Sequence, residues 1–171
     1  MNMFTTKDTT FAMMVGLPGS GKSTYAMAVL EQNPEMVYIS TDALVQERAD
    51  ALGLTYDDVW PDYIAEATKL CNEAFAAARK AGAPILWDQT NLGVKKRRGL
   101  LSQVPKSYTT VALYFEVDEE LRQQRIANRP GKTIPEHIDR SMVASYVRPS
   151  HEEGFDMLVD VVGVMNYLVP A

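Results

Sequence analysis

The feature that most constrains the fold is a glycine-rich segment near the start of the chain, residues 16–23, which reads G-L-P-G-S-G-K-S. It matches the pattern G-x-x-x-x-G-K-[ST] at every fixed position, and it lies between an apolar run and a helix-forming run. In this pattern the backbone N–H groups of the loop surround phosphate oxygens, and the start of the helix adds its positive dipole end. The sequence therefore predicts a strand, a phosphate-binding loop and a helix, in that order.

Individual residues of this loop have distinct expected roles. Lys22 would reach the outer phosphates of a nucleotide, and the Ser23 hydroxyl would bind the Mg²⁺ ion that bridges them. Thr24 can contact the inner phosphate. The nucleotide-binding residues that the segment predicts are Gly16, Pro18, Gly19, Ser20, Gly21, Lys22, Ser23 and Thr24. We expect ATP, or another nucleoside triphosphate, together with Mg²⁺ as the ligands.

Apolar stretches alternate with helical stretches along the chain, which is typical of an α/β fold with a parallel sheet. The predicted strands are 11–15, 36–40, 84–87, 110–117 and 157–162. The clearest predicted helices are 22–32, 62–81, 119–128 and 135–146. We therefore expect an open five-stranded parallel sheet flanked by helices, formed by one domain at 11–171 after a flexible arm at 1–10.

Composition limits the classes of partner and the compartment. The 171 residues include 17 basic and 22 acidic ones, for a formal charge of -5, which argues against a general polyanion binder. No apolar run approaches the roughly 20 residues that cross a bilayer, so no membrane association is expected. The single cysteine, Cys71, cannot form an internal disulfide and falls on an apolar helical face. A cytoplasmic protein with Cys71 in its core is the expectation.

Two carboxylates follow predicted strands. The carboxyl ends of parallel strands line the ligand crevice of an open sheet, so Asp42 and Asp88 should face the phosphate-binding loop. Asp42 would orient a hydroxyl and accept its proton, or it would merely cap a helix that starts at Ala43. Asp88 would hold Mg²⁺ with Ser23, or it would cap the next helix, as Asn91 could also do.

Two basic clusters are candidates for anion binding. Residues 95–98, K-K-R-R, fall near the start of a helix, where cations are unfavourable unless an anion lies close by; a solvated basic turn is the alternative. Arg122, Arg125 and Arg129 share one helical face at i, i+3 and i+7, and would either converge on a phosphoryl group or pair with neighbouring glutamates. Residues 128–134, which contain Pro-Gly, are expected to form a mobile lid loop.

Four segments together resemble the phage polynucleotide kinase family: G-L-P-G-S-G-K-S-T, S-T-D, W-D-Q-T-N-L and R-Q-Q-R-I-A-N-R-P-G-K-T-I-P. The resemblance runs over about residues 11–156. It implies a P-loop kinase fold with a helical lid, and ATP-dependent phosphorylation of the 5′-hydroxyl of DNA or RNA, so that a nucleic acid 5′ end would be the partner. It also implies that Asp42 is the general base, that Lys22 and Ser23 bind the nucleotide, and that Arg125 and Arg129 serve the lid.

The same resemblance places a Thr-Asn pair beside the acceptor, and the predicted acceptor-side set is Asp42, Asp88, Thr90 and Asn91. One departure concerns residues 41–45, T-D-A-L-V, where the family carries arginine that grips the substrate phosphate. Arg48 or the 95–98 cluster could substitute for that arginine.

Three functions stay open at this stage. The first is a 5′-hydroxyl polynucleotide kinase. The second is a related kinase of another hydroxyl, on a modified base, a nucleoside or a nucleotide sugar, which the acidic charge and the missing arginine favour. The third is a regulatory protein that hydrolyses ATP slowly and transfers nothing. A GTPase switch is disfavoured, because no guanine-specific N/T-K-x-D segment follows the later strands.

Overall fold

The computed structural model describes residues 9–163. Its strands are β1 (Thr10–Gly16), β2 (Val37–Ile39), β3 (Ile85–Asp88), β4 (Thr109–Phe115) and β5 (Met157–Asp160). Its helices are α1 (Lys22–Gln32), α2 (Thr41–Leu52), α3 (Tyr56–Ala81), α4 (Val94–Leu101), α5 (Glu119–Ala127) and α6 (Glu136–Ser145), with a 3-10 turn at His151–Glu153. The expected arm at 1–10 lies outside the described residues except for its end, where Thr10 already begins β1.

The five strands form one sheet in the order β2-β3-β1-β4-β5. Each neighbouring pair is parallel, with β1 at the centre between β3 and β4. This arrangement confirms the expected open five-stranded parallel sheet. It also brings the carboxyl ends of β1, β2 and β3 to one edge, which is where the phosphate-binding loop begins.

Alternating residues of β1 face two separate core layers. Phe11 and Met13 pack on the side covered by α3, together with Cys71, which is 2% exposed. Ala12 and Met14 pack on the side covered by α1. Because a central parallel strand is buried on both faces, its sequence is apolar throughout rather than alternating. The expected core position of Cys71 is confirmed.

Helices α2 and α3 form a pair with a small core of their own, in which Val45 and Ala49 pack against Tyr56 and Val59. Helix α3 begins earlier than the predicted 62–81 segment, because Thr55 and Asp58 form a capping box ahead of Tyr56. Pro61 lies inside this helix. The pair matters for the site because it carries residues at the start of each helix to the edge of the sheet.

Within residues 9–163, no helix has both the length and the apolar character that crossing a bilayer requires.

Candidate nucleotide and acceptor site

A cleft of about 1790 Å³ opens at the carboxyl edge of the sheet. The phosphate-binding loop and the first turn of α1 line one part of it, and the starts of α2 and α3 line another. The end of β3, helix α5 and several of residues 129–135 complete the lining. The cleft therefore brings together most of the segments that the sequence singled out.

The phosphate-binding loop has the backbone geometry that its glycines permit. Gly19 and Gly21 have φ of +81° and +97°, a region that other residues rarely adopt. A Cβ atom on Gly19 would also lie 2.9 Å from the carbonyl oxygen of Arg122. Replacing Gly19 would thus strain the loop and push it away from α5.

Lys22 lies folded back on the loop. Its Nζ donates hydrogen bonds to the carbonyl oxygens of Gly16 and Leu17, at 2.8 and 3.0 Å. Burial lowers the pKa of Lys22 to about 8, and the nearby carboxylate of Asp88 offsets this effect only in part. Lys22 therefore lies at the loop, where the negative charge of a bound polyphosphate would favour its protonated form.

Asp88 and Ser23 provide oxygen ligands of the kind that Mg²⁺ prefers. Asp88 ends β3, is 4% exposed, and accepts a 2.7 Å hydrogen bond from the hydroxyl of Tyr38. Burial raises the pKa of Asp88, while Tyr38 and Lys22 oppose the increase. Between residues 9 and 163 no group of three or more His, Cys, Asp or Glu side chains could hold a metal alone. The two residues fit an ion whose remaining ligands are phosphate oxygens and water.

Asp42 lies in the first turn of α2 and faces the same cleft. The cap of that helix is Ser40, whose hydroxyl accepts from the backbone N–H of Ala43, so the capping role considered for Asp42 is wrong. Tyr56 donates to Asp42 Oδ1 at 2.8 Å, and Lys132 donates to Oδ2. Burial raises the pKa of Asp42, but the charge and hydrogen bond of Lys132 and the hydrogen bond of Tyr56 hold it below its ordinary value. Asp42 is therefore ionised near neutral pH.

The three arginines of α5 and the lid separate into two kinds. Arg125 and Arg129 line the cleft, and Arg125 donates to the carbonyl of Gly19 at 3.3 Å. The guanidinium of Arg129 has no hydrogen bond or ion pair to any of residues 9–163, and its charge acts on Lys22. Arg122 instead is 1% exposed and bound to carboxylates. Of the two alternatives considered for these arginines, Arg122 follows the pairing with a neighbouring glutamate, Glu119, whereas Arg125 and Arg129 face the cleft.

The basic segment 95–98 also requires a correction. Arg97 is fully buried and binds both carboxylate oxygens of Glu153, at 2.7 Å each. Arg98 donates to the carbonyl of Glu152 at 3.1 Å. Lys96 is the member of the segment that lines the cleft, where it donates to the side chain of Gln89 at 3.0 Å. The anion that the segment requires is therefore mainly Glu153 of the protein itself.

Asn91 lies in the core rather than on the cleft wall. Its side chain is 0% exposed, its φ is +50°, and its Nδ2 donates to the carbonyl of Met14 at 2.7 Å. It joins the end of β3 to β1, so an acceptor would reach it only if this turn rearranged. Thr90 does line the cleft, and its carbonyl accepts from the backbone N–H of Gly16 at 3.0 Å. Arg48, offered as a substitute phosphate ligand, lies over the ring of Tyr63 at 5.8 Å instead.

Sequence reasoning missed two residues that contact Asp42, namely Tyr56 and Lys132. Lys132 follows the Pro-Gly of the lid, so a basic residue beside that breaker was the available signal. Tyr56 precedes the helix predicted at 62–81, and no spacing pointed to it. Their contacts with Asp42 exist only because the folded chain brings the start of α3 and residues 128–134 together.

Residues 11–149 match the model of a protein family described as an AAA domain. The chain belongs to this family. It is 27% identical over 123 residues to a cytidylate kinase of Pyrobaculum arsenaticum, a match that covers 71% of this chain and 61% of that protein. The chain spans less than two thirds of the length of the curated relatives it matches.

Two solved structures of other proteins share the fold of this chain. A putative kinase from Chloroflexus aurantiacus has a TM-score of 0.63 at 16% identity, covering 95% of this chain and 97% of that one. A chain of a Pnkp1/Rnl/Hen1 complex has a TM-score of 0.53 at 22% identity, covering 71% of this chain and 40% of that one. These likenesses establish a P-loop kinase fold, the type built for nucleotide binding. The resemblance to phage polynucleotide kinases is therefore supported at the level of a P-loop kinase fold, and not at the level of that particular family.

Proposed function

We propose that this chain is a cytoplasmic, ATP- and Mg²⁺-dependent phosphotransferase that moves the γ-phosphoryl group to an alcohol hydroxyl held at Asp42. The observation that carries the proposal is the placement of an ionised carboxylate in the same cleft as the phosphate-binding loop. Asp42 lines the same cleft as the loop and lies close enough to it for its charge to act on Lys22. A nucleophile bound at Asp42 would therefore face the end of the polyphosphate.

The residues of the cleft divide the work of the transfer. Asp42 orients the acceptor hydroxyl and takes its proton as the new bond forms. Lys22 and Arg129 line the cleft and would compensate the charge on the transferring group. Ser23 and Asp88 would hold Mg²⁺, which supplies charge neutralisation between the outer phosphates.

The acceptor that we propose is the 5′-hydroxyl of a DNA or RNA strand. Support comes from the part of the cleft lined by the starts of α2 and α3, here called the acceptor wall. Tyr56 and Trp60 lie one helical turn apart on α3, and both line the cleft there. Trp60 is 45% exposed, and it has no hydrogen bond or ring contact with any of residues 9–163. An open indole face stacks on nucleobases of any sequence. The likeness to a cytidylate kinase agrees with an acceptor that carries a base.

A second candidate acceptor is a hydroxyl on a smaller molecule, such as a nucleoside, a modified base or a nucleotide sugar. The observation in its favour is the fate of residues 95–98, because burial of Arg97 against Glu153 removes the strongest candidate for a phosphate-backbone contact. The formal charge of -5 agrees with it. A base-stacking wall without a basic track would suit an isolated base or nucleoside.

Labelled-ATP transfer against a panel of acceptors tests the proposal: 5′-hydroxyl DNA, 5′-hydroxyl RNA, modified-base DNA, nucleosides and nucleotide sugars. Asp42→Asn should lower transfer by at least about 10²-fold, the lower range for a positioned general base. Its nucleotide affinity should stay within a few-fold, because Asp42 does not contact the loop. Asp50→Asn, on the exposed side of the same helix, is the matched control.

Near-normal transfer by Asp42→Asn would remove the proposed base. Label appearing only on small-molecule acceptors would select the second candidate. Phosphate release with no labelled acceptor anywhere in the panel would contradict both candidates and favour a regulatory ATPase.

A further inference from the structure

The lid segment, residues 128–134, is docked on the α2–α3 pair. The backbone N–H of Asp57 donates to the carbonyl of Gly131 at 3.0 Å, and the backbone N–H of Thr133 donates to the carboxylate of Asp57 at 2.8 Å. Gly131 adopts a φ of +66°, and a Cβ atom there would lie 3.0 Å from the Cβ of Thr55. These contacts hold the segment from residue 131 to residue 133 in register with the start of α3.

Lys132 is the residue between these two docking points. Its ammonium lies 3.8 Å from the centre of the Tyr56 ring and pairs with Asp42 Oδ2. The Lys132 side chain is 12% exposed, whereas that of Asp42 is 58% exposed. The lysine is thus the enclosed partner of the pair, while the carboxylate stays open to the cleft with Lys132 bound to it.

The position of this ammonium matters for the choice of nucleophile. In transfer, the acceptor oxygen forms a bond to the γ-phosphorus while the bond to the β-phosphate oxygen breaks; ADP leaves with that electron pair, and the acceptor proton passes to Asp42. Water in the place of the acceptor gives inorganic phosphate by the same balance. In the described residues, Tyr56 occupies one oxygen of Asp42 and Lys132 the other.

We propose that Lys132 is a positioning residue that occupies Oδ2 of Asp42 while no acceptor is bound, competes with water for that oxygen, and yields it to the acceptor hydroxyl. The inference rests on the proposed function, in which Asp42 activates the hydroxyl. It makes the empty enzyme a poor ATPase and ties activation of the carboxylate to occupancy of the acceptor wall. Because residues 128–134 supply Lys132, the docking of this segment and the pairing of Lys132 with Asp42 become one event.

Electrostatics agree with this geometry. The charged and titratable groups that face Asp42 from the surrounding elements are Lys132 and Arg129 of the lid, Tyr56 of α3, Tyr38 of β2, Lys22 of α1 and Asp88 of β3. Of the groups that lower the pKa of Asp42, Lys132 contributes most. Removing its charge raises that pKa, so a reaction that needs ionised Asp42 should lose activity at a higher pH.

The test compares Lys132→Met, which keeps much of the side-chain volume without the charge, with Lys132→Arg, which keeps the charge. Lys106→Met, at an exposed lysine outside the cleft, is the control. Two rates are measured with labelled ATP: transfer to the acceptor, and phosphate release without acceptor. Lys132→Met should raise the ratio of hydrolysis to transfer roughly tenfold and move the acidic limb of kcat/KM for transfer to higher pH. Lys132→Arg should stay close to the unmodified protein in both readouts.

An unchanged ratio together with an unchanged acidic limb in Lys132→Met would overturn the inference. So would equal loss of both rates, because that result assigns Lys132 to the phosphates rather than to Asp42. The Asp42→Asn variant separates the two levels. If it abolishes transfer while Lys132→Met changes neither readout, only this inference fails; if it leaves transfer intact, the proposed function fails first.

Discussion

Two groups of cationic side chains differ sharply in how their donors are used. Arg122 makes five hydrogen bonds, two to Glu119, two to Asp139 and one to the carbonyl of Pro18. A guanidinium has five N–H donors, so Arg122 has none left for a ligand. In the cleft, the guanidinium of Arg129 makes no hydrogen bond or ion pair to any of residues 9–163.

The difference shows that spacing alone does not identify an anion-binding arginine. Arg122 and Arg129 share a helical face in the sequence, yet one supports the phosphate-binding loop and the other is open to a ligand. Arg97 belongs with the first kind, since it binds Glu153 and the carbonyls of Asn91 and Leu92. The number of donors that stay unused, rather than the local density of basic residues, separates support from recognition.

The largest expected effect comes from removing the open arginine. Arg129→Ala should lower phosphoryl transfer on the order of 10³-fold, because a lid guanidinium compensates charge that develops in the transition state. The melting temperature should change little, since no hydrogen bond or ion pair within residues 9–163 is lost. Arg140→Ala, which breaks an exposed pair with Glu136, is the control and should change neither quantity appreciably.

A large fall in melting temperature with transfer preserved would place Arg129 with the supporting arginines. Arg129 would then no longer differ from Arg122 in function, and the distinction between supporting and ligand-binding arginines would be lost.

The second expected effect concerns stability rather than rate. Arg97→Met should cost about 3–5 kcal/mol in the free energy of unfolding, because it leaves Glu153 buried without its partner. Urea unfolding measures this change. The double variant Arg97→Met/Glu153→Leu should recover much of the loss, since apolar replacement of a buried pair is often neutral.

If Arg97→Met lost transfer at unchanged stability, the basic segment at 95–98 would bind substrate after all. The correction made above for that segment would then be wrong.

Local patterns sufficed to predict the sheet and the phosphate-binding loop. The loop motif fixes its own backbone through residues that are neighbours in the chain, and apolar runs of the right length predicted all five strands to within a few residues. Lys22 followed from the loop motif, and the placement of Asp42 and Asp88 in the cleft followed from the rule that strand ends meet at one edge. These predictions needed no knowledge of which distant residues touch.

The predictions that failed depend on contacts between residues far apart in the sequence. Arg97 and Glu153 are 56 residues apart, Asn91 and Met14 are 77 apart, and Lys132 and Asp42 are 90 apart. Nothing in the local sequence of one partner specifies the other, so a buried ion pair and a solvated basic turn have the same pattern. The start of α3 was predicted too late, at residue 62 rather than Tyr56, although its capping box of Thr55 and Asp58 is a local pattern.

The smallest expected effect concerns the pH dependence of the Arg122 pair. Hydrogen bonds from Arg122 hold the pKa of Asp139 below its ordinary value. A depressed pKa in the folded state contributes stability that is complete above the unfolded value of about 3.9 and is lost as the pH falls through it toward the folded pKa. Asp139→Asn should therefore cost about 1.5–3 kcal/mol near pH 6, as for a hydrogen bond to a charged group, and progressively less toward pH 3.

Urea unfolding of the two proteins between pH 6 and pH 3 measures whether this difference narrows. Glu136→Gln, at an exposed pair on the same helix, serves as the comparison and should change stability by less than about 0.5 kcal/mol throughout. A constant difference across the range would mean that Asp139 stabilises the fold by packing rather than by charge. The hydrogen bonds between Arg122 and its carboxylates would then contribute no more to stability than those of an arginine that is open to a ligand. The number of unused N–H donors would no longer separate supporting arginines from ligand-binding arginines.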